Sequence, residues 1–478
     1  MYEATLNEIA NAVGGQLVGN PDVHITGVAT DSRHVVAGDL YCAIVGERVD
    51  GHDFIADACA NGAVAVLASR SIDGPGVVIG ADATRRGAEK VDVVISAIGT
   101  LAERERTARK NLQVIGVTGS SGKTSTKDLI GQVLMMAGPT VAPAGSPNNE
   151  LGLPLTLLQA DDDTQFVVAE MGMRGLGHIE YLCNIARPTV GVVTNVGHAH
   201  VGEVGSIDAV ARAKSELVAA IDPHGHVVLN ADDPNVRAMA KISKAPVTFF
   251  GRSDNADVRA RNIVIQHSGG SAFDLEFGLD SARVELKQIG EHYVSNALAA
   301  ATVGLVLGME LDDVAQALTS AVPVSKWRME VRNINGQFTV INDAYNANPE
   351  SMEAALKALV AIPDVHRTWA VLGAMHELGD ESISEHDRLG RLAVRLDVDQ
   401  LVVVGQDAKA LHLGALQEGS WDNETVWFPD FSAAADYIVG NIHIGDVVLF
   451  KASRSEGFEK LADVVEQRLR IKQEGSQA

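Results

Sequence analysis

Short runs of apolar and β-branched residues recur along the chain, several of them followed by a stretch with helical spacing: VIGVT then TSTKDLIGQVLMMAG, FVVAEMG, TVGVVTNVG then SIDAVARAKSELVAAI, and HVVLN. Such runs lack polar alternation, as strands buried on both faces do, so they predict a mostly parallel doubly wound sheet. Sheets of this kind bind ligands outside the carboxyl ends of their strands. Upstream, LNEIANAVGG, HITGVATDSR, DLYCAIVG and AVAVLAS predict a small α/β domain. From near Pro323 the alternation resumes in FTVINDAY, TWAVLGAM, QLVVVG and VVLFKAS, which predicts a second, smaller parallel sheet. The charged segment AERERTARKN, Ala102 to Asn111, breaks the apolar periodicity and is expected to be an exposed helix or linker. The fold class is therefore α/β with three domains, over residues 1–108, 109–321 and 322–478.

Length agrees, since 478 residues at roughly 150 per domain also give about three. A net charge of −23 argues against nucleic acid and anionic membrane surfaces as partners. Three scattered cysteines show no metal-ligand spacing and read as reduced thiols. The first residues have neither a basic start nor an apolar run, and no stretch reaches 18 apolar residues. These features lead us to expect a cytoplasmic protein, acting as a monomer and without membrane insertion.

The strand VIGVT runs into GSSGKTS and then a helix starting near Lys123. Backbone N–H groups and the positive helix end would converge there on an anion. Lys123 would neutralise the β and γ phosphates of a nucleotide, and Thr124 would offer its hydroxyl to Mg2+. The usual phosphate loop carries a glycine where Val117 stands, and here the extra glycine is Gly119. Two further strand ends carry polar groups, Glu170 after FVVA and Asn195, His198 and His200 after TVGVVT. Glu170 suits a hard cation; its alternative role is to pair with Lys123, and taken alone the two histidines read more readily as loop residues than as ligands. For Lys214, on a helix with an apolar face, the residues alone favour a solvated lysine paired with a carboxylate. In the third block Arg328 could stabilise a phosphoryl group in flight, and Asp343 could fix an Arg, a Lys or a ribose. MHELG lacks the second histidine of a zinc motif, because Asp380 stands there.

In this order TGSSGKT, SPNNELGLPLTLL, VVAEMGM, NVGHAHVGEVGS with ARAKSE, HYVSNALAA, RMEV, NDAYNANPESM and LFKASRSEGFEKL resemble the Mur ligases of peptidoglycan synthesis. The resemblance spans nearly the whole chain, and the family's Thr-Gly-x-x-Gly-Lys-Thr loop accommodates Val117 and Gly119. It implies ATP-driven peptide-bond formation through an acyl phosphate. YNANPESM and DSRHVVAGDLYCAIVGERVDGHDFI point to the branch whose substrates are UDP-N-acetylmuramoyl-tripeptide (UDP-MurNAc-tripeptide) and D-alanyl-D-alanine. The sister ligase adding the third amino acid would carry Asp-Asn-Pro-Arg, which is absent. A P-loop kinase or ATPase would leave the three-block organisation and NANPESM unexplained. A binding module that had lost catalysis would show damage at Lys123, Thr124, Glu170, His200 or Lys214, all of which are present. A folate polyglutamate ligase has a related loop but no call for DSR or SPNNELG.

Carried over residue by residue, the resemblance implies an ATP site from Thr118, Gly119, Ser120, Ser121, Gly122, Lys123, Thr124 and Ser125. Asn296, Arg328, Asp343, Tyr345, Asn346 and Asn348 complete that site. Thr124 and Glu170 would hold one Mg2+, and Glu170, His200 and a carbamylated Lys214 a second. Ser32 and Arg33 would contact the uridine nucleotide in the UDP-sugar-binding first domain. Asn148 and Asn149 would contact the muramoyl peptide, and Lys451, Ser453 and Arg454 phosphate or substrate carboxylate. The third domain would be a Rossmann-like, amino-substrate-binding domain. Many relatives have His-Asn where this chain has His292-Tyr293.

Overall fold

In the computed structural model, which describes residues 3–80, 91–198, 201–419 and 424–474, the run Gln113–Thr118 is an inner strand of a nine-stranded sheet. It pairs in parallel with Phe166–Glu170 on one side and Val190–Val193 on the other. Thr140–Val141 lies outside Phe166–Glu170, and His226–Asn230, Val247–Gly251 and Val258–Ile265 continue the parallel set beyond Val190–Val193. Alternate residues serve opposite cores: Ile115 and Val117 pack on one face, Val114 on the other. The order of connection reverses at Gln113–Thr118, so its carboxyl end opens on a switch-point crevice. Beyond the parallel set, Val258–Ile265, Gly270–Phe277 and Asp280–Ile289 form an antiparallel meander that periodicity had not predicted.

The first domain has a five-stranded sheet in the order Gln16–Val18, Gly76–Val78, Ala65–Ala68, Asp39–Cys42, Gly27–Ala29, parallel except for Gln16–Val18. Helix Leu6–Val13 starts on a capping box between Thr5 and Glu8. The third sheet has six strands: Glu330–Ile334, Phe338–Asn342, Val447–Lys451, Thr368–Leu372, Gln400–Val404 and Thr425–Phe428, with only the first antiparallel to its neighbour.

One expectation is corrected. Most of the charged segment near residue 105 is the last half of helix Val93–Ala108, and two of its charges are buried. Arg106 donates through Nε to Ala186 O (3.1 Å) and through Nη2 to Arg187 O (3.1 Å). It thereby satisfies carbonyls at the end of helix His178–Ala186. A charged residue buried for its donors looks, in sequence, like one that is solvated.

Candidate active site

The turn after Gln113–Thr118 is shaped by contacts that only glycine permits. A Cβ on Gly119 would stand 1.8 Å from Thr194 Oγ1, and one on Gly122, at φ +75°, 2.6 Å from Asn296 Oδ1. Helix Lys123–Met135 then begins with no side-chain cap, leaving its first-turn N–H groups facing the crevice. Not all loop amides do so. Asn195 Oδ1 accepts from Ser120 N (3.1 Å) and Ser121 N (2.8 Å), while its amide donates to Ser121 O (3.1 Å) and Oγ (3.0 Å). These two loop amides are therefore taken within the protein, whereas the start of the helix has no side-chain cap. Thr118 is also turned away, fully buried with its hydroxyl on Met171 O (2.9 Å).

Register places Glu170 opposite Val117, beside the loop. Its Oε2 accepts from Thr124 Oγ1 (2.8 Å), and its Oε1 from Ser146 Oγ (2.6 Å) and Asn148 Nδ2 (2.8 Å). Burial pushes this carboxyl upward, but Lys123, Arg328 and the two neutral donors outweigh it and hold it below the usual range. Lys123 Nζ donates to Gly119 O (2.7 Å), and burial, only partly opposed by Glu170, lowers its affinity for a proton.

The third domain reaches the same place. Arg328 Nη2 donates to Thr124 Oγ1 (2.8 Å) and its guanidinium lies 4.0 Å from the centre of the Tyr345 ring. The flanking residues Trp327 and Met329 adopt φ of +58° and +51°, a strained backbone that aims the side chain. Asp343 is taken by a lysine, Lys451, whose Nζ donates to its Oδ2 (2.6 Å) and to Asn346 O (2.9 Å). Asn348 caps helix Pro349–Val360 and sends Nδ2 to Ser120 O (3.4 Å). Glu350 Oε1 accepts from His198 N (2.8 Å) and lies 2.7 Å from His198 Nδ1, so His198 joins the domains. Lys123, Thr124 and Glu170 with Arg328, Asp343, Tyr345, Asn348, Glu350 and Lys451 line a cavity of about 400 Å3.

Asn296 lines the cavity and accepts from Thr126 Oγ1 (3.2 Å). Tyr293 is buried, its hydroxyl donating to Arg328 O (3.2 Å) and accepting from Ser125 Oγ (3.4 Å). Asn149 lines the cavity with Asn148 while its Oδ1 accepts from Gly152 N (2.9 Å). Lys214 contradicts the solvated reading: it is 1% exposed, and its Nζ lies 3.8 Å from Met173 Sδ, behind the cavity wall. Burial, helped by Lys123, pushes its pKa well below the usual lysine value. Ser453 is buried, its hydroxyl on Ala347 O (3.4 Å), and Arg454 pairs with Glu459 (3.1 Å) over the Trp327 ring. Ser32 and Arg33 lie in the first domain, where Asp31 grips Arg33 (2.6 Å). His200 falls outside the described residues. Ser146, Arg174, His178, Glu350 and Glu377 also line the cavity and were not singled out from sequence. Three had a signal: Ser146 is the first residue of SPNNELG, Glu350 lies within NANPESM and Glu377 within MHELG.

Fold and cleft define a class, a three-domain α/β protein in which the six-stranded sheet meets the switch point of the nine-stranded one. Residues 117–304 match the Mur ligase middle domain, 327–454 the Mur ligase glutamate ligase domain, and 24–106 the Mur ligase family catalytic domain. The UDP-N-acetylmuramoyl-tripeptide–D-alanyl-D-alanine ligase of Mycobacterium tuberculosis is 44% identical, covering 97% of this chain and 98% of its own. MurF from Acinetobacter baumannii superposes with a TM-score of 0.85 at 33% identity, over 98% of this chain and 99% of that one. The MurF ligase of Thermotoga maritima, in complex with ADP, gives 0.77 at 29% identity, over 93% and 98%. The chain belongs to the Mur ligase family.

Proposed function

We propose that this protein joins D-alanyl-D-alanine to UDP-N-acetylmuramoyl-tripeptide at the expense of ATP, the last cytoplasmic step in making the pentapeptide precursor of peptidoglycan. One observation supports this most: Arg328, from the third sheet, bonds Thr124 at the start of the loop helix (2.8 Å), so a nucleotide there is held by two domains. Among the described residues no helix is long and apolar enough to cross a membrane. We take the working unit to be a single cytoplasmic chain.

The tripeptide carboxylate attacks the γ-phosphorus of ATP; a C–O–P linkage forms and ADP leaves. The amine of D-alanyl-D-alanine then attacks the acyl carbon, inorganic phosphate departs, and the amine proton is lost. Both partners of the first step are anions, so the protein's work is to position them and offset their repulsion. Lys123 and Arg328 do so at the γ-phosphate, and the first-turn amides of helix Lys123–Met135 receive the phosphates. Asn296, Tyr345 and Asn346 would face the nucleoside. Asn348 acts through Ser120, and Asp343 by fixing Lys451. Asn148 and Asn149 would meet the muramoyl peptide, and Ser32 and Arg33 the uridine end.

A hydroxyl and an ionised carboxylate side by side, Thr124 and Glu170, are the oxygen donors a hard divalent cation takes, so the residues fit Mg2+. Bound there, Mg2+ supplies charge neutralisation on the phosphates. A second ion would be held by Glu170, His200 and Lys214. Burial favours the neutral amine of Lys214, the form that adds CO2, forming an N–C bond and losing a proton to become a carboxylate-like carbamate.

Purified protein given ATP, Mg2+, the UDP-muramoyl tripeptide and D-alanyl-D-alanine should release phosphate only when both peptide substrates are present. Release that ignores the dipeptide would overturn this function in favour of an ATPase, and no release would favour a binding protein.

A further inference from the structure

Among the described residues, four Lys and Arg side chains line the cavity: Lys123, Arg174, Arg328 and Lys451. Three of them are engaged, Lys123 with Gly119 O, Arg328 with Thr124 and the Tyr345 ring, and Lys451 with Asp343 and Asn346 O. Arg174 differs. It stands four residues beyond Glu170, and its backbone N–H donates to His178 Nδ1 (3.0 Å), which pins the main chain. Its side chain is exposed, and among the described residues no carboxylate makes an ion pair with it. The same histidine, through Nε2, lies 3.0 Å from Glu150 Oε1. His178 and, more weakly, the field of Arg174 hold the Glu150 carboxyl down to about 2, so it is an anion at any working pH. This corner of the cleft therefore presents an exposed cation, without an ion pair among the described residues, beside a carboxylate held by His178.

Phosphoryl transfer uses Lys123, Arg328 and Glu170, and the attacking carboxylate has to come up to them. A cation on the segment just past Glu170 suits a second anionic group on the residue that carries that carboxylate. Lysine at the third position offers only an ammonium, which Arg174 would repel. A diamino dicarboxylic acid offers a carboxylate and an ammonium at its far end, the complement of Arg174 and Glu150 in sign. We propose that Arg174, with Glu150 fixed by His178, reads the far end of the third residue of the peptide substrate, and that this residue is 2,6-diaminopimelate. The proposal rests on the ligase reading above, whose failure has a different appearance.

The test compares the full-length enzyme on UDP-muramoyl tripeptides ending in meso-diaminopimelate or in L-lysine, with ATP, Mg2+ and D-alanyl-D-alanine. Losing one charge-assisted contact corresponds to about tenfold or more in kcat/KM, so the diaminopimelate peptide should win by at least that, mainly through KM. Arg174→Gln should collapse the ratio and Arg174→Glu should reverse it. Both changes are at an exposed side chain, so melting curves should stay with the wild type. Equal kcat/KM for the two peptides in the wild type overturns the proposal. So does Arg174→Gln lowering both peptides by one factor, since the arginine would then read a part of the substrate common to both. Turnover of neither peptide overturns the ligase reading itself.

Discussion

Removing the guanidinium of Arg328 isolates what the third domain contributes to phosphoryl transfer. The side chain makes the 2.8 Å bond to Thr124 and lies 4.0 Å from the Tyr345 ring centre. A hydrogen bond to a charged group contributes ~1.5–3 kcal/mol, and a cation over an aromatic ring ~0.5–2 kcal/mol. Both contacts are made within the protein, so their loss bears first on how the domains are held together and only indirectly on nucleotide affinity. An arginine on the phosphoryl group in flight is different, because its contact strengthens only as charge moves. Such arginines are worth about 10^3 or more in kcat, roughly 4 kcal/mol. In Arg328→Ala we expect kcat to fall by about 10^3 while KM for ATP changes by less than about tenfold. Steady-state phosphate release with both peptide substrates saturating reads the two constants separately. Arg328→Lys, which keeps the charge and loses the planar stack, should lie between. A kcat for Arg328→Ala within about tenfold of wild type would show that the arginine only holds the domains together.

Two more outcomes follow from burial and backbone. The depressed pKa of Lys214 means the native state sheds a proton that the unfolded chain keeps up to its ordinary value of 10.5. Between those values the unfolded state binds more protons, so stability should rise with pH. In CO2-free buffer the wild type should therefore gain on Lys214→Met from neutral to about pH 9.5 in urea melts, and an absent or opposite trend would refute a buried, unmodified amine. Gly122→Ala meets both a φ of +75° and Asn296 Oδ1 at 2.6 Å, whereas Gly14→Ala, at φ +64°, has nothing within 4 Å. Each should lose ~1–2 kcal/mol of stability for the left-handed backbone. Only Gly122→Ala should also weaken ATP, measured by calorimetry; unchanged affinity would remove the loop from the nucleotide site.

How far these features could be read in advance depends on the range of the interaction. VIGVT, FVVAE and TVGVV announce parallel strands because burial on both faces removes polar alternation, and every residue of Val190–Val193 is buried. VRARNIVI and DSARVELKQI, with charges at intervals, carry the pattern of a half-exposed antiparallel meander, a weaker signal than a continuous apolar run. Lys123 and Thr124 announce themselves because loop and helix start are local. Asp343 and Lys451 lie 108 residues apart and meet only because Phe338–Asn342 pairs with Val447–Lys451. Separation in sequence likewise hid Arg174 from Glu150, 24 residues before it, and His198 from Glu350, 152 residues after it. Lys214 misled in the opposite way, since a lysine among AVARA and SELVAA looks amphipathic whether its amine meets water or Met173.

Asn195 has a kinetic consequence. By occupying the Ser120 and Ser121 amides it holds the glycine-rich turn in shape through contacts within the protein. The conformational entropy of ordering that turn is lost when the chain folds, not when ATP arrives. A nucleotide therefore docks on a finished surface. Its association should then lack the slow, ligand-driven ordering of a mobile phosphate loop.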